Sequence, residues 1–267
     1  MISPAEVART AHRLGVGDRT IEKDYVLSWL LVAIAGSDLR DLLAFKGGTA
    51  LKRCYYPEYR FSEDLDFTLC ADMSHEEAIT AFENLFPELL SRTNLTIATQ
   101  SAELSFFQSS TLLLNYVGPL RGRLESRHLK VDITRGELLQ YPVTARVLLA
   151  PYSDFPSDVA LPVYALEEIV VEKLCAIIGR TEPRDLYDVY WLVERGDVDL
   201  LFLPDDFVAK AQHKGCDPGR LGEVLTSREA VLDRLWKSRL ALQVRELPPL
   251  DEVLRVVRRQ LRALQLI

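Results

Sequence analysis

The sequence predicts an α+β fold, in which a mixed β-sheet core over residues 1–155 is followed by a helical C-terminal domain over residues 156–267. Three observations carry that prediction. DLDFTL alternates acidic and apolar residues, and LTIAT, TLLLNYV and LKVDIT are β-rich, so strand signals are confined to the first half. Helical periodicity resumes at ALEEIVVEKLCAII and runs almost unbroken to the end of the sequence. Between the two lies a stretch rich in Pro, Asp and Ser, residues 152–162, which reads as a linker.

Taken in order, Ser3 and Pro4 read as the N-cap and first position of one helix. A second helix runs from about Asp18 through Ile21, Leu27, Leu30, Leu31 and Ile34 to Gly36. LLAF is a short apolar strand stopped by Gly47 and Gly48, after which TALKRCYY resumes a helical pattern. DLDFTL follows as a strand with one polar face, and then a helix with Ser74 as N-cap and Glu77 as its capping-box partner. Residues 95–134 supply the further strands, separated by polar or Gly-Pro turns. In the second half Pro183 opens RDLYDVYWLVER and Gly196 stops it. No internal repeat or low-complexity tract is visible.

Composition narrows the function classes. The first residues carry charges where a signal peptide needs an apolar stretch, and WLLVAIAG is far too short to span a bilayer, so a cytoplasmic protein with no membrane partner is expected. Cys54, Cys70, Cys175 and Cys216 form no CxxC pair, and no histidine stands near them at zinc-ligand spacing. A net charge of −7 argues against a general nucleic-acid coat protein. A local basic groove remains open, from Arg121, Arg123, Arg127, Lys130 and Arg135 or from Arg255, Arg258, Arg259 and Arg262. The last four also fit the solvated face of an amphipathic helix.

The chemistry is concentrated in a few residues. Asp64 and Asp66 lie two apart on a strand, so both carboxylates leave the same face and repel unless a cation sits between them. Hard oxygen ligands on one face suit Mg²⁺, which takes the rest of its shell from water and phosphate. Alone, such a pair is also what an exposed strand face carries. Gly47 and Gly48 stand between strand and helix, where missing side chains let phosphate approach backbone N–H groups, and Thr49 adds a hydroxyl. A tight turn would use the same glycines. Asp132 has apolar neighbours in LKVDIT and needs a partner there, either a metal shared with Asp64 and Asp66 or an arginine. Lys46 and Arg60 flank the motifs, as phosphate contacts or as solvated strand ends. Tyr55, Tyr56, Tyr59 and Phe61 offer a stacking surface for a base, or simply core.

FKGGTAL, RFSEDLDF, the isolated Asp132, EKLCAI and RDLYDV, in this order, resemble the AbiEii/AbiGii-type nucleotidyltransferases, the toxin components of bacterial toxin–antitoxin and phage-defence pairs. IEKDYVLSWLL, with Lys23 and Asp24, is similar to the helix that precedes the glycine motif in that family, and the resemblance spans residues 21–191. It implies the polymerase β-like nucleotidyltransferase fold. It also implies that Asp64, Asp66 and Asp132 ligate one or two Mg²⁺ ions, with Asp132 as base for the acceptor hydroxyl. By the same resemblance Gly47, Gly48 and Thr49 cradle the triphosphate of an NTP, Lys173 reaches its phosphates, and Asp185 orients Lys173 or the nucleotide. The wider superfamily usually carries Gly-Ser where this chain has Gly47 and Gly48, which leaves Thr49 as the candidate hydroxyl. Arg184 and Asp188, one turn apart, are expected to pair on the same helix.

The resulting expectation is a toxin that moves an NMP from an NTP to an RNA acceptor, the 3′ end of tRNA, and so inhibits translation, with a cognate antitoxin as partner. Transfer to a protein hydroxyl, or a non-catalytic regulator that binds NTP or antitoxin, are the alternatives. Ser62, beside the acidic pair, is a hypothetical modification point, since added phosphate there would repel the carboxylates.

Overall fold

The computed structural model describes residues 1–105 and 109–267, so residues 106–108, within the stretch read as β-rich, lie outside the described residues. The chain forms two compact units, one of Met1–Glu137 with Val143–Tyr164 and one of Leu138–Pro142 with Ala165–Ile267.

The first unit begins with α1 (Pro4–Leu14) and α2 (Asp18–Ala35), followed by β1 (Leu43–Lys46) and the short α3 (Gly47–Ala50). A π-helical turn, Leu51–Tyr55, continues directly from α3. Then come β2 (Asp64–Leu69), α4 (His75–Glu83), α5 (Phe86–Thr93), β3 (Thr96–Ser105), β4 (Ser109–Val117), β5 (His128–Thr134), β6 (Thr144–Val147) and β7 (Ala160–Val163). Side-chain caps set the starts of α1 and α4. Ser3 accepts from the Glu6 N–H at 3.2 Å, and Ser74 and Glu77 close a reciprocal capping box at 3.1 and 2.8 Å.

The strands form one seven-stranded mixed sheet in the order β3-β4-β5-β2-β1-β7-β6. β2 runs antiparallel to β1 and parallel to β5, and β1 runs parallel to β7. Alternation sorts the side chains. Leu65, Phe67, Leu129, Val131 and Ile133 are fully buried in the core with α2 and with Phe82 of α4. Asp64, Asp66, Lys130 and Asp132 consequently leave by the opposite face. Register fixes this arrangement, because a one-residue slip of β2 against β5 would exchange the two sets.

α2 is buried almost all round, including two carboxylates that need partners there. Glu22 accepts from Arg127 and, at 2.8 Å, from the Leu120 N–H. Asp24 meets the guanidinium of Arg53 and the hydroxyl of Tyr152. That second group corrects the linker reading of residues 152–162. Tyr152 is buried, Phe155 packs against Trp29 with centroids 6.2 Å apart, and β7 joins the sheet beside β1. Aromatic anchors override the Pro, Asp and Ser composition of this stretch.

The second unit holds α6 (Leu166–Gly179), α7 (Pro183–Arg195), α8 (Leu203–His213), α9 (Leu221–Ser227), α10 (Glu229–Leu240) and α11 (Leu250–Ala263). Its detached segment, Leu138–Pro142, is tied in by a buried ion pair. Lys210 lies 2.8 Å from Glu168 and donates to the Leu138 carbonyl at 2.6 Å. Glu168 in turn accepts from the N–H groups of Gln140 and Tyr141 at 2.8 and 3.1 Å. In α11 Val253, Leu254, Val257 and Leu261 face inward and the arginines outward, as an amphipathic helix requires. Among the described residues no helix is long and apolar enough to cross a membrane.

Candidate active site

Neighbouring strands place Lys46 of β1, Asp66 of β2, Asp132 of β5 and Thr111 of β4 in one cross-strand row. Asp64 sits one step along β2, opposite Lys130 of β5. In-register residues share a face, so the sheet brings Asp64, Asp66 and Asp132 to one polar surface.

The surroundings of Asp132 are cationic, and the cation is not an arginine. Its carboxylate accepts from Lys130 at 2.6 Å and from the Thr111 hydroxyl at 2.6 Å. Lys130 stands two residues before Asp132 and reaches it along the same face. Among the described residues, no group of three or more His, Cys, Asp or Glu side chains is arranged to hold a metal ion. By donor chemistry the set still fits Mg²⁺, since it offers hard carboxylate oxygens from one face. For Asp132 to serve as a ligand, its carboxylate has to leave Lys130.

The glycine pair is required by close approach. Gly47 has φ +78°, in the left-handed region, and a Cβ there would run into the Asp66 carboxylate. A Cβ on Gly48 would stand 2.7 Å from Arg60 Nη2 and 3.3 Å from Ser62 Oγ. The pair therefore lets the backbone pass directly beside the acidic strand. The Thr49 hydroxyl donates to the Asp64 carbonyl at 2.5 Å, so it braces the strand and cannot donate to phosphate while it does so.

Lys46 and Arg60 are buried, which corrects the reading of solvated strand ends. Lys46 Nζ donates to Thr134 Oγ1 at 3.0 Å, lies 3.4 Å from Glu137 and sits 5.5 Å from the centroid of the Tyr164 ring. Thr134 also approaches Thr68, whose hydroxyl meets that of Tyr164 at 2.5 Å. Sequence reasoning missed Thr68, Thr111, Lys130, Thr134 and Tyr164 as members of this surface. Two-residue spacing on the strands carrying Asp66 and Asp132 was the available signal for Thr68, Lys130 and Thr134. Tyr56, Tyr59 and Phe61 are core, whereas Tyr55 donates to the Tyr164 carbonyl and lies under Arg146 at 4.1 Å.

In the helical unit Lys173 lies 2.9 Å from Asp185 and 2.8 Å from Asp188, both fully buried. Arg180 closes on Asp185 at 2.7 Å. Burial pushes the Asp185 carboxyl up, but the Lys173 charge and the hydrogen bonds and charge of Arg180 outweigh it and hold the group below the usual range. The expected Arg184–Asp188 pair does not form. Arg184 binds Glu182 at 3.3 Å, because Asp188 turns inward to Lys173.

The central basic stretch is largely paired: Arg127 with Glu22, Lys130 with Asp132, and Arg135 with Asp72 at 3.4 Å. In α11 Arg258 and Arg259 meet Glu229 and Glu194. Local carboxylates thus answer most of the charge that would have made a groove for RNA.

Solved structures share this architecture. MenT4, a nucleotidyltransferase toxin from Mycobacterium tuberculosis H37Rv, superposes with a TM-score of 0.69 at 20% identity, over 99% of this chain and 90% of its own. JHP933 from Helicobacter pylori gives 0.59 at 18% identity, over 93% of each chain. At these identities the likeness establishes the α+β nucleotidyltransferase fold. No curated protein matches the sequence. The model of the family described as nucleotidyl transferase AbiEii toxin, type IV toxin–antitoxin system, matches residues 29–258, and the chain therefore belongs to that family of toxin nucleotidyltransferases.

Proposed function

We propose that this protein moves a nucleoside monophosphate from an NTP to an RNA hydroxyl, with the 3′ end of tRNA as acceptor, and so inhibits translation. The observation that supports this most is the meeting of Asp64, Asp66 and Asp132 on one face, with Gly47 and Gly48 packed beside them. Asp64 and Asp66 would hold one or two Mg²⁺ ions, with Asp132 as third ligand. A divalent ion there supplies charge stabilisation at the reacting phosphate. The Gly47 and Gly48 backbone receives the triphosphate, Lys46 adds positive charge beside Asp66, and Thr49 fixes the strand that carries Asp64. The acceptor oxygen bonds to the α-phosphorus, the bond from that phosphorus to the bridging oxygen breaks, and pyrophosphate leaves. Asp132, released from Lys130, takes the acceptor's proton.

Lys173, Arg184, Asp185 and Asp188 are assigned to the nucleotide through the motifs EKLCAI and RDLYDV. Within their own unit, Asp185 and Asp188 fix the Lys173 ammonium from two sides. Family membership implies an antitoxin as partner.

The test incubates the protein with Mg²⁺ and each α-labelled NTP in turn, against total tRNA and total protein. Label in tRNA that disappears with Asp64→Asn or Asp66→Asn is the expected result. Label in protein would move the reading to a protein acceptor, and label in neither would leave a non-catalytic binder.

A further inference from the structure

A cavity of about 610 Å³ opens in the first unit, walled by Leu14, Val147, Leu149 and Phe155 and, on one side, by Lys52 and Arg53 of the π-helical turn. Its volume is that of a small-molecule pocket. A second recess of about 580 Å³ shares Arg13 and Pro151 with it and adds Glu6, Arg9 and Ser153. None of the aspartates of the transfer site lines either one.

The charge around this apolar hollow is mainly positive. Arg9 and Arg13 stand one turn apart on α1, so both guanidinium groups leave the same face. Both are exposed, and among the described residues neither makes a hydrogen bond or an ion pair. Glu6, the carboxylate in the smaller recess, is occupied by the Ser153 N–H at 3.0 Å and the Ser153 hydroxyl at 2.9 Å. Arg53 is matched by buried Asp24. Lys52 is buried too, yet its ammonium meets only neutral groups: the carbonyls of Pro57 and Tyr59 at 3.1 and 2.8 Å and the Phe61 ring at 3.9 Å. Apolar walls beside Arg9 and Arg13, which make no ion pair among the described residues, complement a molecule with an apolar body and an anionic head.

We propose that these joined recesses bind a small amphiphilic anion, its apolar body against Leu14, Val147 and Phe155 and its head between Arg9 and Arg13. The wall bearing Lys52 belongs to the helical turn that follows Gly47–Ala50 directly in the chain.

The probe is 8-anilinonaphthalene-1-sulfonate, added to the folded full-length protein. Expected is saturable one-site binding that dodecyl phosphate displaces and inorganic phosphate does not. Arg9→Glu with Arg13→Glu should weaken it about tenfold or more, charge-assisted contacts being the stronger ones, without changing the melting temperature. Val147→Trp, which fills the hollow from exposed β6, should weaken it similarly, and the arginine variants decide alone if that variant fails to fold. Phosphatidylglycerol vesicles should leave the probe in place. Non-saturable binding, equal binding in wild type and the arginine variants, or displacement by vesicles but not by the monomeric amphiphile would each overturn the proposal.

Discussion

Single side chains set the terms of the acidic face. Lys130 holds the carboxylate of Asp132, although the proposed reaction needs that carboxylate for a metal and a proton. Replacing Lys130 by Met removes the competing cation from an exposed position. The Mg²⁺ concentration that gives half-maximal transfer should then fall, by about twofold to fivefold given a charge pair of this exposure. An unchanged requirement in a magnesium titration would show that Lys130 does not gate Asp132. Lys52 makes a separate prediction about pH. Burial lowers its pKa from the ordinary 10.5 to about 8, with Asp24 and Glu58 opposing and Arg53 and Arg60 adding. The unfolded chain keeps this proton to higher pH than the folded one, so folding is penalised below about pH 8 and the penalty fades as pH rises toward 10. Urea unfolding at pH 7.5 and 9.5 should show wild type gaining roughly 1–3 kcal/mol relative to Lys52→Met. A constant difference between the two proteins would remove Lys52 from the pH dependence.

At the scale of elements, the strand–glycine–helix passage decides whether the acidic face can receive a phosphate. Gly47→Ala meets both an unfavourable φ and the Asp66 carboxylate, and should destabilise by about 1–3 kcal/mol and abolish transfer. Gly17→Ala, where nothing stands within 4 Å, is the matched control and should be close to neutral in denaturant unfolding. Elements of this kind were legible in the sequence because their signals are local. The capping box at Ser74 and Glu77, the alternation in DLDFTL and the Gly47–Gly48 break each declare themselves within a few residues. What Thr49 and Lys46 do was not legible, because their partners, the Asp64 carbonyl and Thr134, are chosen by packing. The linker reading of residues 152–162 failed for the same reason, since Tyr152 finds its partner Asp24 far back in the chain.

For the whole molecule, the division into two units does not follow the chain. Leu138–Pro142 leaves the first unit after β5 and returns before β6, held by Lys210 and Glu168. No periodicity marks that excursion. Lys210→Met should destabilise the helical unit by about 3–5 kcal/mol, because it leaves the Glu168 carboxylate buried without its cation. Lys210→Met with Glu168→Leu should recover part of that loss in thermal melts. Equal stability of Lys210→Met and wild type would show that the pair does not hold the segment.

Whether three aspartates from β2 and β5 grip magnesium and an NTP is tested most directly by ligand-dependent melting. With the Mg²⁺–NTP complex near a hundredfold above its dissociation constant, binding to the folded state alone adds about 2.7 kcal/mol, a rise of a few degrees for a chain of this size. The account predicts that rise for wild type and its loss in Asp66→Asn, with the ligand-free melting temperatures nearly equal. An identical rise in Asp66→Asn, or none in wild type, would contradict it.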